Sequence, residues 1–139
     1  MAYQNVASSR AQLLNYQYVE LATPVTATTA WTSTGISITI VETGAYKIQS
    51  SSEATIPGGL ANSSFETGLF INNVLVTNSE RLAGVNLLGI LGTIGASFAM
   101  NNMTVRQLST NDVVDLRIRT IAGSNPTINA RNIMTLKVG

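Results

Sequence analysis

The chain has 139 residues, a formal net charge of +1, no cysteine and no histidine. That length gives one domain with its own core. The composition excludes disulfides, thiolate metal sites, the commonest general base and any large basic surface for nucleic acid. Charged residues are 11%, against roughly 25% in ordinary domains, while Thr, Ser and Asn fill 43 of the 139 positions. Hydroxyls and amides must wet this surface. So few charges imply that part of it is covered by copies of the chain or by a partner.

Residues 1–17 are a distinct N-terminal arm, polar with scattered apolar side chains: Tyr3, Val6, Leu13, Leu14 and Tyr16. A short helix over residues 8–16, capped by Ser9, fits its composition. MAYQNVASSRAQLL lacks a basic start followed by an apolar run, so no signal peptide is expected. The five apolar residues are candidate partner contacts, made as the arm folds onto a neighbour.

Residues 18–139 read as successive strands. Tyr18–Thr23 is the first, stopped by Pro24. Trp31, the one tryptophan, follows in a Thr/Ala-rich stretch and is expected to plug a core or an interface. Ile36–Val41 has Ile36, Ile38 and Ile40 on one face, and Ala45–Ile56 has Tyr46 and Ile48 inward. The turn Glu42-Thr43-Gly44 is expected to join them as a hairpin-like pair, with Gly44 free to take positive φ. After the Pro57-Gly58-Gly59 break, Phe65–Ile71 and Val74–Asn78 flank Asn72-Asn73. Asparagine accepts left-handed φ, so this pair suits a tight hairpin turn.

Leu82–Met100 is apolar but interrupted by Gly84, Gly89, Gly92 and Gly95. It has the length of a membrane span, but the glycines and the missing basic anchors argue against one. Burial is expected instead, as strands or between copies, with Leu87, Leu88, Ile90 and Leu91 as candidate intersubunit contacts. Asn101–Leu108 continues as a strand. The turn Ser109–Asp112 then feeds a regular alternation in which Val114, Leu116 and Ile118 face a core and Asp115, Arg117 and Arg119 face a surface. Thr127–Val138 is the last strand, with Met134, Leu136 and Val138 sharing a face. The pattern is all-β: a two-sheet jelly-roll sandwich of about eight to ten strands with a short N-terminal arm.

The seven carboxylates are Glu20, Glu42, Glu53, Glu66, Glu80, Asp112 and Asp115. Asp112 and Asp115 are three apart, hence on opposite strand faces and a poor acid–base pair. Asp112 is read as a turn residue bonding its own backbone. Arg117 and Arg119, with Arg106 on a neighbouring strand, are candidate intersubunit or partner contacts, since Arg is favoured at interfaces. No phosphate loop, dinucleotide fingerprint or nucleophile elbow is present, so neither catalysis nor a cofactor or metal is expected.

Leu108, Asn111-Asp112, Val114 and Leu116 fall in a pattern that resembles the Leu-x-x-Gly-Asp-x-Val-x-Leu of a known jelly-roll head. Gly44-Ala45-Tyr46-Lys47-Ile48 is similar to that family's Gly-x-Tyr-x-apolar start, and Leu69–Asn73 to its apolar strand ending in Asn-Gly. The closing Ile133–Val138 carries Ile133-Met134-Thr135 where the family has Phe-x-Gly. The family is that of complement-type globular heads and the tumour-necrosis-factor superfamily. The resemblance implies a ten-stranded jelly roll, a homotrimer with one sheet near the threefold axis, and a binding or structural role. Calcium sites of some members do not carry over, because no carboxylate cluster supplies the ligands.

Few charges, no export signal, a Thr/Ser/Asn-rich jelly roll and an anchoring arm together point to a bacteriophage virion protein. The expectation is a homotrimeric capsid decoration (cement) protein on the capsid surface, bound to the major capsid protein, with no nucleic-acid or membrane partner. The alternative is the receptor-binding head of a tail fibre or tail tip, with Trp31, Tyr46 and the Asn-rich loops meeting host glycan or protein.

Overall fold

β-Branched side chains at a spacing of two build both sheets, since each such strand buries one face and wets the other. The computed structural model describes residues 16–59, 61–86 and 95–139. Within these the strands are β1 (Tyr16–Leu21), β2 (Val25–Thr26), β3 (Thr32–Thr39), β4 (Gly44–Ile56) and β5 (Ser63–Ile71). They continue with β6 (Val74–Leu75), β7 (Arg81–Val85), β8 (Ala96–Leu108), β9 (Val113–Ala122) and β10 (Thr127–Lys137). One antiparallel sheet has the order β1-β10-β4-β8, with β2 also on β10. The other runs β3-β9-β5-β6, with β7 also on β5. The fold is a jelly-roll sandwich.

Between the sheets lie Ile36, Ile38 and Ile40, then Phe65 and Leu69 of β5 and Val114, Leu116 and Ile118 of β9. They meet Tyr46, Ile48, Ala54 and Ile56 of β4 and Ile128 and Ile133 of β10. The three expected β9 residues are fully buried. The Asn72-Asn73 hairpin is present, with φ of 50° and 68°, and Asn111 takes φ of 74°. Asp112 closes its turn by accepting from the Ser109 N–H at 2.8 Å.

Five expectations give way. The stretches 36–41 and 45–56 are not a hairpin, because β3 pairs with β9 while β4 pairs with β10 and β8. The link between them crosses from one sheet to the other, held where Ile40 exchanges backbone hydrogen bonds with Asn111 and Asp112. Gly44 does not take positive φ. Its lack of a side chain matters instead, since a Cβ would lie 2.6 Å from the Gly139 carbonyl oxygen. Leu82, expected to be buried, is 68% exposed at the edge strand β7. Arg106 lies on β8, in the sheet opposite Arg117 and Arg119, and donates to the Thr77 carbonyl. Tyr16, expected in the arm, opens β1 opposite Leu136. Tyr3, Val6, Leu13 and Leu14, the rest of the expected helix, and Leu87, Leu88, Ile90 and Leu91 lie outside the described residues.

Two buried polar side chains tie the layers. Asn102 of β8 points inward with no exposure. Its Nδ2 donates to the Thr67 and Ser79 carbonyls at 3.1 and 2.8 Å. Its Oδ1 accepts from the Thr67 and Ser50 hydroxyls at 2.9 and 3.4 Å. All four of its hydrogen-bonding positions are used, across both sheets. Arg131 of β10, 3% exposed, reaches the Thr34 carbonyl through Nε at 2.8 Å and also through Nη2. Its Nη1 reaches the Thr23 and Asn129 carbonyls. Burial pushes its pKa below the ordinary arginine value.

Asn102→Ala is expected to cost about 3 kcal/mol, because four buried partners lose their bonds at once. Urea unfolding followed by circular dichroism checks this. The hydrogen bonds to Asp112 from the Ser109 backbone and from the Asn72 amide hold its carboxyl below the ordinary carboxylate pKa. The stability this carries is present above the unfolded value of about 3.9 and is lost as pH falls through the lower folded value. Asp112→Asn is therefore expected to flatten the acid limb of the melting curve below about pH 4.

Candidate functional site

Each sheet has an outward face, and the two differ in chemistry. On β3-β9-β5, the register sets Asp115 opposite Phe70, Arg117 opposite Gly68 and Arg119 opposite Glu66. Arg117 Nε donates to Asp115 at 2.7 Å, and Arg119 Nε donates to Glu66 at 2.6 Å. Each guanidinium also covers a ring. Arg117 stands 4.4 Å from the Phe70 centroid and Arg119 stands 4.7 Å from that of Trp31. The two rings meet edge-on, with centroids 5.1 Å apart. Trp31 thus lies on the outer surface of this sheet rather than in the core, and it is half-buried.

Gly68 makes that arrangement possible. A Cβ there would lie 2.9 Å from Leu75 Cδ1 and 3.1 Å from Trp31 Cη2, so even an alanine would press on the indole and shift Leu75. Asp115, expected at the surface, is only 7% exposed, since the Arg117 guanidinium covers it. The expected polar row is therefore a closed layer of paired charge and aromatic rings.

The outer face of β1-β10-β4-β8 carries two largely apolar rows at one end and a polar region at the other. One row runs Tyr16, Leu136, Lys47, Val105, and the next runs Tyr18, Met134, Gln49, Met103. Tyr18, Met103 and Val105 are 46%, 52% and 54% exposed. Lys47 is the one charge in these two rows. The Tyr18 hydroxyl donates to Glu20 at 2.9 Å, which raises its pKa. Beyond Glu20 the face opens into a broad depression of about 670 Å³ between Glu20, Glu53 and Asn132.

Arg117 and Arg119, named from sequence, come together on one face. Tyr16 lies on the other sheet, in the apolar rows. Tyr46, proposed as a glycan contact, is buried, and its hydroxyl donates to the Glu42 carbonyl at 2.6 Å. Sequence reasoning missed Phe70 and Glu66 as partners of the arginines, and missed Met103, Val105 and Tyr18 as a joint surface. Their alternation was legible, but which strands lie side by side was not. No group of three His, Cys, Asp or Glu able to hold a metal occurs among the described residues.

Trp31 is the chain's one tryptophan, so its fluorescence reports this site alone. Arg119→Ala is expected to increase acrylamide quenching of that emission. The same substitution should lower stability by about 1 kcal/mol or less, as expected of a partly exposed ion pair and cation–π contact.

No protein-family model matches the chain, and no curated protein matches it. Among solved structures, 281 chains match. One is the Eiger TNF of S. frugiperda, with a TM-score of 0.54 and 11% identity over 90% of this chain and 94% of that one. A likeness at that identity is one of fold alone, and the fold of this chain is a TNF-like jelly roll.

Proposed function

We propose that this chain is a non-enzymatic structural module that assembles as a homotrimer through the outer face of β1-β10-β4-β8. The observation that carries the reading is a pair of rows, four strands and about 14 Å across, apolar on β1, β10 and β8 and polar only on β4, where Lys47 and Gln49 lie. Exposed apolar side chains so placed cost free energy in water, which is recovered when copies pack on them. Arg117 and Arg119 then face away from the contact. The finer reading is a capsid decoration protein of a bacteriophage. Residues 1–15 would contact the major capsid protein, and many copies would each add buried area between capsomers. The low charge and the Thr, Ser and Asn content support it.

Sedimentation equilibrium at micromolar concentration is expected to give three times the monomer mass. Met103→Glu is expected to give a folded monomer, because it places a charge in the apolar row on an already exposed position. A wild-type monomer, or a trimer unaffected by Met103→Glu, overturns the assembly. Co-sedimentation with the capsids of the virus that encodes the chain, lost on deleting residues 1–15, tests the finer reading. Absence of capsid binding by the intact trimer overturns it.

A further inference from the structure

A groove of about 360 Å³ runs between the start of β3 and the β5–β6 turn, on the face away from the apolar rows. It is at the low end of the roughly 300–1,000 Å³ range of small-molecule sites. Its walls have identifiable causes. The β3–β9 register shifts between Ser33 and Ser37, where Gly35 takes φ of 85°, and this bulge opens the sheet edge. The other wall is the left-handed Asn72-Asn73 turn. Asn72 fixes that turn by donating to Asp112 at 2.8 Å and accepting from the Val113 N–H at 2.9 Å.

The polar groups inside are held in place. Arg117 donates through Nε to Asp115 and through Nη2 to Asn73 Oδ1 at 2.5 Å, with its plane over Phe70. Arg117, Asn73, Ser33 and Ser37 all line the groove, and Arg117 Nη1, Asn73 Nδ2 and the two hydroxyls as donors have no protein partner among the described residues. The Ser33 and Ser37 hydroxyl oxygens can also accept, while Asp115 beside them is held by Arg117. The Asp115–Arg117 pair cancels its own charge, so the groove offers an anion no net attraction. Ile36 and Val113 line the groove beside amide and guanidinium groups and two hydroxyls, a mixed lining whose polar groups both donate and accept.

We infer that this groove binds a neutral saccharide, whose ring hydroxyls donate and accept in the same alternation. Rigid lining groups reduce the ordering cost of binding, and a single sugar ring in so shallow a site binds with a Kd of millimolar order. The site lies on the sheet opposite the proposed trimer contact, so its test does not depend on assembly.

The test is amide and side-chain chemical-shift mapping of the full chain titrated with glucose, galactose, mannose and N-acetylglucosamine, and in parallel with sialic acid and sodium sulfate. At least one neutral sugar is expected to shift Ser33, Ser37, Asn73 and the Arg117 side chain. Asn73→Gly keeps the left-handed turn while removing the amide, and Ser37→Ala removes an exposed hydroxyl. Each is expected to weaken binding by about tenfold or less, and together by about tenfold or more. No shift with any neutral sugar, shifts only with sialic acid or sulfate, or sugar binding unchanged in the double variant would each overturn the inference.

Discussion

The two sheets are joined by an amide. Asn102 sits where an aliphatic residue would ordinarily complete the core, and it spends both N–H groups and both oxygen lone pairs on β4, β5 and the segment before β7. Apolar packing alone is non-directional and would tolerate sliding of one sheet over the other. Four bonds from one side chain set the distance and the register between β8 and β5. Ser79 extends this lock by bonding the Val76 and Leu69 backbone, which places the β6–β7 connection against β5. A buried polar group so fully paired contributes little net stability, yet its failure is expensive. Its effect is therefore specificity of arrangement.

Arg131 does the same at the opposite side of the sandwich. Its guanidinium meets only backbone carbonyls, from Thr23, Thr34 and Asn129, so the cation is solvated by three chain segments that would otherwise need water. Asn129 lies in the interval where the β10 register shifts against β4, between Ile128 and Arg131. The bulge in β10 and the strand start at β3 are thus pinned to one another.

Register turns single residues into surfaces. On β9 and β5 it brings two arginines over two aromatic rings with a carboxylate beside each. Such pairs are worth little singly, but the edge-on contact of Trp31 with Phe70 joins the two into one layer. On β1, β10, β4 and β8 the same mechanism lines up Tyr16, Tyr18, Met134, Leu136, Met103 and Val105. The two outer faces thus differ in chemistry, one a layer of paired charge with a groove beside Arg117 and the other carrying two largely apolar rows.

Much of the fold was legible in the residues alone. The period of two in β3, β4 and β9, the Asn72-Asn73 hairpin and the Asn111-Asp112 turn are local facts, set by β-branching and by the tolerance of asparagine for left-handed φ. The outer surfaces were not legible, and β8 and β10 show why. In β8 the buried positions Met100 and Leu108 follow hydropathy, but between them Asn102 is buried while Met103 and Val105 are exposed, the reverse of what hydropathy selects. In β10, Ile133 faces the core while Met134 and Leu136 face outward, so apolar residues occupy both parities. A strand apolar on both sides does not reveal which side is the interior. That is decided by the strands it pairs with, which lie up to 120 residues away in the chain, as Tyr16 does from Leu136, and are brought alongside only by the folded sandwich.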